Sequence, residues 1–254
     1  MSLLAVEGLT RSFGGVAAIE GLDFAVERGR VHAVIGPNGA GKTTLFNLVT
    51  GIDAPSAGRI RLDGEDVTAL GTAARAARGL QRTFQNLQIF ATMTALENVM
   101  AGRWLRTRRG WASALLRLPA TKRANRDDAE RAAALMREVG LERWLDADAD
   151  AMPYGALKRL EIARALAAEP TLLLLDEPAA GLNPKETAAI GELIRRIAAR
   201  GVTVVLVEHD MKLVMGVADR ILVLDHGRRL AEGSAAEVRA DPEVIRAYLG
   251  AAAA

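Results

Sequence analysis

Nine consecutive residues, Gly36-Pro37-Asn38-Gly39-Ala40-Gly41-Lys42-Thr43-Thr44, follow directly on the apolar run Val31 to Ile35. A strand that runs through such a loop into a helix has the chemistry for holding polyphosphate. Gly36 and Gly41 allow a tight turn whose backbone N–H groups point inward. Asn38, Gly39 and Ala40 lie within that turn, and the following helix adds its positive N-terminal end. Lys42 is placed to reach β- and γ-phosphates as a point charge, and the Thr43 hydroxyl to ligate a Mg²⁺ bridging the same oxygens. Thr44 bonds backbone or phosphate. The pattern implies a nucleoside triphosphate binder, without yet separating a kinase from a GTPase, a helicase or a transport ATPase.

A second chemical element lies downstream at Thr171-Leu172-Leu173-Leu174-Leu175-Asp176-Glu177-Pro178. An apolar run without alternation predicts a buried parallel strand, and the C-terminal edge of such strands is where open α/β sheets place ligands. Asp176 would then sit beside the phosphate loop and join the Mg²⁺ shell. Glu177, the next residue, can polarise a water for attack on the γ-phosphate, which is the logic of a hydrolase rather than a kinase.

The elements that must position these groups follow from the pattern of apolar residues. Leu3 to Leu9 and Leu22 to Val26 predict antiparallel strands with Phe13 in the turn between them. A helix starts at Lys42, a strand lies near Arg59 to Leu62, and Gly79 to Phe84 leads to Gln85. A helical insert is expected over roughly 94–168, in which Ala129, Ala132, Ala133, Met136 and Val139 recur at helical spacing as core residues. Strand–helix alternation then resumes through Pro184 to Arg200, Val202 to Val207 and Ile221 to Leu224. This predicts a single domain: a core from 1–93 and 169–254, with the helical subdomain 94–168 between.

The composition agrees with this. The chain has 254 residues, half of them apolar, enough for one large core or a core with a subdomain. No apolar run approaches the roughly 20 residues needed to cross a bilayer, and the start lacks the basic and apolar parts of a secretion signal, so the chain is expected in the cytosol. With no Cys, disulfides, thiolate chemistry and Cys-ligated metals are excluded. The formal net charge of +2 is nearly balanced and gives no reason to expect nucleic acid as a partner. One stretch is strongly basic: Arg103, Arg106, Arg108, Arg109, Arg117, Lys122, Arg123 and Arg126 occur with no acidic residue among them. Interleaved Trp104, Leu105, Trp111, Leu115, Leu116 and Leu118 suggest short amphipathic helices near a membrane or partner, as against a solvated helical face.

Between the phosphate loop and Asp176-Glu177 stands Met152-Pro153-Tyr154-Gly155-Ala156-Leu157-Lys158-Arg159-Leu160-Glu161-Ile162-Ala163-Arg164-Ala165-Leu166, a turn leading into a helix. The order of phosphate loop, Gln85, this segment, Asp176-Glu177 and His209 resembles the ATP-binding cassette, the motor subunit of ABC transporters, over nearly the whole chain. The resemblance implies an α/β P-loop NTPase fold with a largely parallel core sheet, an N-terminal antiparallel β subdomain and a helical signature subdomain. It also implies that Gln85 contacts Mg²⁺ and the attacking water and senses a membrane subunit, that His209 contacts the γ-phosphate, and that Phe13 stacks on adenine. Tyr154 and Gly155 would complete the ATP site of a partner cassette, with Glu177 as general base.

The signature segment departs from the commonest family pattern, Leu-Ser-Gly-Gly-Gln. Pro153 stands at the serine position and offers neither hydroxyl nor N–H, so the contact across the dimer must rest on Gly155 and its helix dipole. Ala180-Gly181-Leu182-Asn183 likewise replaces the usual Ser-Ala-Leu-Asp. Tyr154-Gly155, the run Arg159 to Arg164, Ala179 to Thr187, Arg82 to Leu87, Val207 to Met211 and the closing Asp241 to Gly250 are similar to the ATPases of branched-chain amino-acid importers. Such a subunit would bind ATP and Mg²⁺, pair with a second cassette and with transmembrane permeases, serve a substrate-binding receptor indirectly, and lie peripherally on the cytoplasmic face of the inner membrane. ATPases for urea or aromatic-acid uptake share much of this pattern. A cassette protein acting on nucleic acid is the rival from another class, and a P-loop kinase the third reading.

Overall fold

The computed structural model describes residues 2–106 and 119–251. Two sheets form its framework. The first is antiparallel: β1 (Ser2–Phe13), β2 (Val16–Glu27), β4 (Ala57–Leu62) and β5 (Glu65–Asp66), in the order β2-β1-β4-β5. The second runs β10-β9-β3-β8-β7-β6, with β3 (Val31–Ile35), β6 (Leu80–Arg82), β7 (Leu172–Asp176), β8 (Thr203–Val207), β9 (Arg220–Asp225) and β10 (Arg228–Gly233). All its neighbouring pairs are parallel except β9 with β10. β3, β8 and β7 are neighbours, so the loops after all three leave the sheet along one edge.

β3, β7 and β8 are buried at every residue, which explains their unbroken apolar runs. Successive side chains go to opposite faces. Val34, Leu172, Leu174, Val205 and Val207 pack with β1, β2, β4 and α1 (Lys42–Thr50). Ala33, Ile35, Leu173, Leu175, Val204 and Leu206 pack against the remaining helices. Each fully buried Leu, Ile or Val in these layers contributes about 1.5–3 kcal/mol relative to exposure.

Among those elements are α2 (Thr72–Ala77), α3 (Ala95–Gly102), α4 (Pro119–Glu138), α5 (Tyr154–Ala167), α6 (Pro184–Ala199), α7 (Met211–Val217), α8 (Ala235–Ala240) and α9 (Pro242–Ala251). Thr94 starts α3 with a capping box to Glu97. The two ends of the helical region meet there, since Ala95 N–H donates to Ala147 O and Ala149 N–H to Met93 O. Ala132, Met136 and Val139 are buried as expected, with Ala129 and Ala133 half-buried.

Two expectations need correction. The β1–β2 hairpin is longer than Leu3 to Leu9 and Leu22 to Val26, and Phe13 ends β1 instead of standing in a loop. The two strands carry bulges that take up the extra length without breaking the pairing. The second correction concerns the basic stretch. Arg103 is buried and ion-paired with Asp128 at 2.8 Å and Glu169 at 3.2 Å, and Arg106 donates to the carbonyls of Ala168 and Glu169. Both therefore bind the protein's own fold. Trp104 remains 71% exposed, and Arg126 pairs with Glu130 on α4. Arg108, Arg109, Trp111, Leu115, Leu116, Arg117 and Leu118 lie outside the described residues.

Candidate functional site

The phosphate loop leaves β3 at Gly36, whose φ of 152° and surroundings exclude a side chain: a Cβ there would lie 2.2 Å from Leu224 O. At Gly41, with φ 100°, a Cβ would lie 2.5 Å from Ala18 O. Ala40 N–H donates to Pro37 O and Gly227 N–H to Ala40 O, tying the loop to itself and to the β9–β10 turn. α1 starts at Lys42 with no capping side chain, so its first N–H groups remain available to an anion. Asn38, Gly39, Ala40, Gly41, Lys42, Thr43 and Thr44 line a cavity of about 310 Å³ with Ala18, Gln85, Glu177 and Val207. Lys42 Nζ donates to Gly36 O at 2.6 Å and Pro37 O at 2.9 Å. Burial lowers its pKa, while the negative charges of Glu177 and Asp176 act the other way.

The parallel order β3-β8-β7 brings Asp176 and Glu177 to this loop, as expected. Asp176 sits behind the cavity wall, and Arg82 holds it: Arg82 Nη2 donates to Asp176 Oδ2 at 2.7 Å and Nη1 to Asn47 Oδ1 at 2.8 Å. Both members of this ion pair are almost fully buried. Arg82 thus joins β6, β7 and α1, a role that its place in a motif did not reveal.

Glu177 has a left-handed backbone, φ 48°, and its N–H donates to Val207 O at 3.0 Å. Gln85 Nε2 donates to Glu177 Oε2 at 2.9 Å, so the two residues expected to handle the attacking water are in contact. His209 follows β8 and lies with Nδ1 4.0 Å from Glu177 Oε1, its side chain 69% exposed. The buried Glu208, missed in the sequence, accepts from the N–H groups of Ala179, His209 and Asp210 and fixes both turns beside Glu177.

Phe13, Tyr154 and Gly155 stand apart from this cavity. Phe13 is at the hairpin end, half-exposed, with the Arg11 guanidinium 4.5 Å from its ring centre. Tyr154 packs against Gly181 and is partly exposed, and Gly155 faces Glu186. Pro153 is the N-cap of α5 and provides no side-chain acceptor.

A backbone cradle for phosphates, a lysine across it, a carboxylate at the adjacent strand end and a second carboxylate hydrogen-bonded to a glutamine define a P-loop nucleoside-triphosphate hydrolase. Comparison with known proteins carries this further. Residues 19–180 match the ABC transporter family, and residues 228–254 match a segment described as branched-chain amino acid ATP-binding cassette transporter. The chain is 45% identical to the high-affinity branched-chain amino acid transport ATP-binding protein BraF of Pseudomonas aeruginosa, over 98% of both chains. It is 43% identical to the corresponding LivG protein of Escherichia coli, with the same coverage. Its fold matches that of an ABC transporter cassette in its ADP conformation with a TM-score of 0.85, 30% identity, and coverage of 98% and 99% of the two chains. The chain belongs to the ATP-binding cassette family, the ATPase subunits of ABC transporters.

Proposed function

We propose that this chain is the ATP-hydrolysing subunit of an importer for branched-chain or other hydrophobic amino acids. The contact between Gln85 Nε2 and Glu177 Oε2 carries the hydrolytic part, because it places an acceptor for the water's proton at the mouth of the phosphate cavity. Lys42 and the loop N–H groups hold the phosphates, His209 stabilises the γ-phosphate, and Glu177 takes the proton. Phe13 stacks on adenine, a contact worth about 1–3 kcal/mol.

A Mg²⁺ ion would take oxygen donors from Thr43 and Gln85, which line the cavity, and from Asp176 once its carboxylate, now held by Arg82 behind the wall, turned to it. Once bound, Mg²⁺ would neutralise charge developing on the phosphate oxygens.

The separation of Tyr154 and Gly155 from their own chain's cavity supports a role in the partner cassette's site. The helical subdomain 94–168 would carry them toward it. Just past Gln85, the exposed side chains of Phe90 and Trp104 line a groove of about 530 Å³ with Gln88 and Ile89, which suits a docking permease segment. A receptor outside would supply the amino acid, with the cassette lying peripherally on the cytoplasmic face of the inner membrane. No helix among the described residues is long and apolar enough to cross a membrane.

The experiment is phosphate release by the chain reconstituted with its second cassette and membrane subunits in lipid. Stimulation by a leucine- or isoleucine-loaded receptor supports the proposal. Stimulation by urea- or aromatic-acid-loaded receptors alone, or by nucleic acid without membrane subunits, overturns it.

A further inference from the structure

The helix that begins at the signature segment also holds the chain's own catalytic carboxylate. Lys158 is 2% exposed, on the second turn of α5. Its Nζ donates to two main-chain carbonyls, Glu177 O at 3.2 Å and Gln85 O at 3.3 Å. A buried ammonium is kept only where acceptors compensate its lost hydration. Here the acceptors belong to the two residues whose side chains meet above the phosphate loop.

We infer that Lys158 is the positioning residue that sets Glu177 and Gln85 in register for attack on the γ-phosphate. A left-handed backbone at a non-glycine residue is held only when its surroundings fix it. Glu177 is fixed on both sides, its N–H by Val207 O and its carbonyl by the Ala180 N–H within its own turn and by Lys158 from α5. The Gln85 loop has further anchors on the same helix. Glu161 accepts from the N–H groups of Phe84 and Gln88, Arg164 donates to Gln88 O, and the Arg164 guanidinium stacks 5.5 Å from the Phe90 ring centre. Removing the Lys158 amine therefore leaves the loop attached through Glu161 and Arg164, while the Glu177 carbonyl loses its link to α5 and keeps only the Ala180 N–H of its own turn. Lys158 stands one turn after Gly155, so a shift of α5 as it meets the partner's nucleotide is passed to this chain's own base through a single side chain.

The inference rests on Glu177 and Gln85 acting as proposed above. The test compares Lys158→Met, Lys158→Arg and Glu177→Gln in the reconstituted transporter, with steady-state phosphate release and binding of a fluorescent ATP analogue. Lys158→Met is expected to lower kcat about 10–100-fold, the scale of a misplaced reacting group. KM for ATP and analogue binding should stay within about twofold. Lys158→Arg, which restores a donor at the same depth, is expected to recover most of the turnover. Wild-type kcat in Lys158→Met overturns the inference. So does a joint loss of kcat and ATP binding that Lys158→Arg does not relieve, which marks Lys158 as structural only. Unimpaired turnover in Glu177→Gln removes the reading of Glu177 and the inference with it, whatever the Lys158 variants show.

Discussion

The phosphate loop at residues 36–44 and the seam that joins β6 and the Gln85 loop to β7, α1 and α5 meet at one cavity, which Gln85 and Glu177 line, and are built by opposite means. The loop is made of main chain. Its shape depends on glycines that admit positive φ, on short-range bonds such as Ala40 N–H to Pro37 O, and on the opening turn of α1. The seam is made of buried charge: Arg82 on Asp176, Lys158 on two carbonyls, Glu161 on two N–H groups. Backbone donors make a cradle that cannot move far, suited to phosphates that are always bound in the same way. Long side chains across separate elements make a joint that can transmit movement from one element to the next.

The largest expected effect breaks the seam. Arg82→Met leaves the Asp176 carboxylate buried without its partner, and should lower unfolding free energy by about 3–5 kcal/mol. Chemical denaturation reads this. Adding Asp176→Leu should restore most of the stability without restoring turnover, since an apolar pair of similar volume replaces the ion pair. A single-variant loss under 1 kcal/mol, roughly that of an exposed pair, would show that charge burial does not hold the seam.

Breaking the loop should have a smaller effect on folding. Gly41→Ala forces a side chain into a left-handed position 2.5 Å from Ala18 O, and about 1–3 kcal/mol of stability is expected to go, together with ATP affinity. Nucleotide binding at wild-type strength would contradict a cradle fixed by its backbone.

The smallest effect sharpens the comparison inside β3, which feeds the loop. Buried His32 accepts from Glu27 N–H through Nε2, and desolvation lowers its pKa below the usual 6.5 or so. The folded chain therefore binds fewer protons than the unfolded one, so stability is full above that ordinary value and declines as pH falls below it. His32→Gln keeps an acceptor but cannot protonate. Its unfolding free energy should fall less than the wild type's between about pH 6.5 and pH 5, and equal slopes would rule His32 out as the group responsible.

The two regions differed in what the sequence revealed, for physical reasons. Loop, strand and carboxylate were readable because glycine spacing and apolar runs encode local geometry, and the parallel order of β3, β8 and β7 then brings Lys42, Glu177 and His209 together. The partners in the seam lie far apart in the chain: 94 residues separate Arg82 from Asp176 and 73 separate Gln85 from Lys158. No local pattern marks such pairs. Lys158 and Glu161 are charges on a helix face that burial alone identifies, although a lysine among Ala156, Leu157, Leu160 and Ile162 hinted at one. Arg103 misled in the opposite sense, since a basic run read as surface turned out to contain a buried ion pair.

The proposed mechanism stands or falls with Glu177 as the base. Glu177→Gln keeps the shape and the hydrogen bond to Gln85 while removing the proton acceptor. Measured for ATP binding, phosphate release and oligomeric state together, it should bind ATP as the wild type does, lose about 10²–10⁴-fold in turnover, and accumulate as an ATP-bound dimer. Turnover at the wild-type rate would rule Glu177 out as the base.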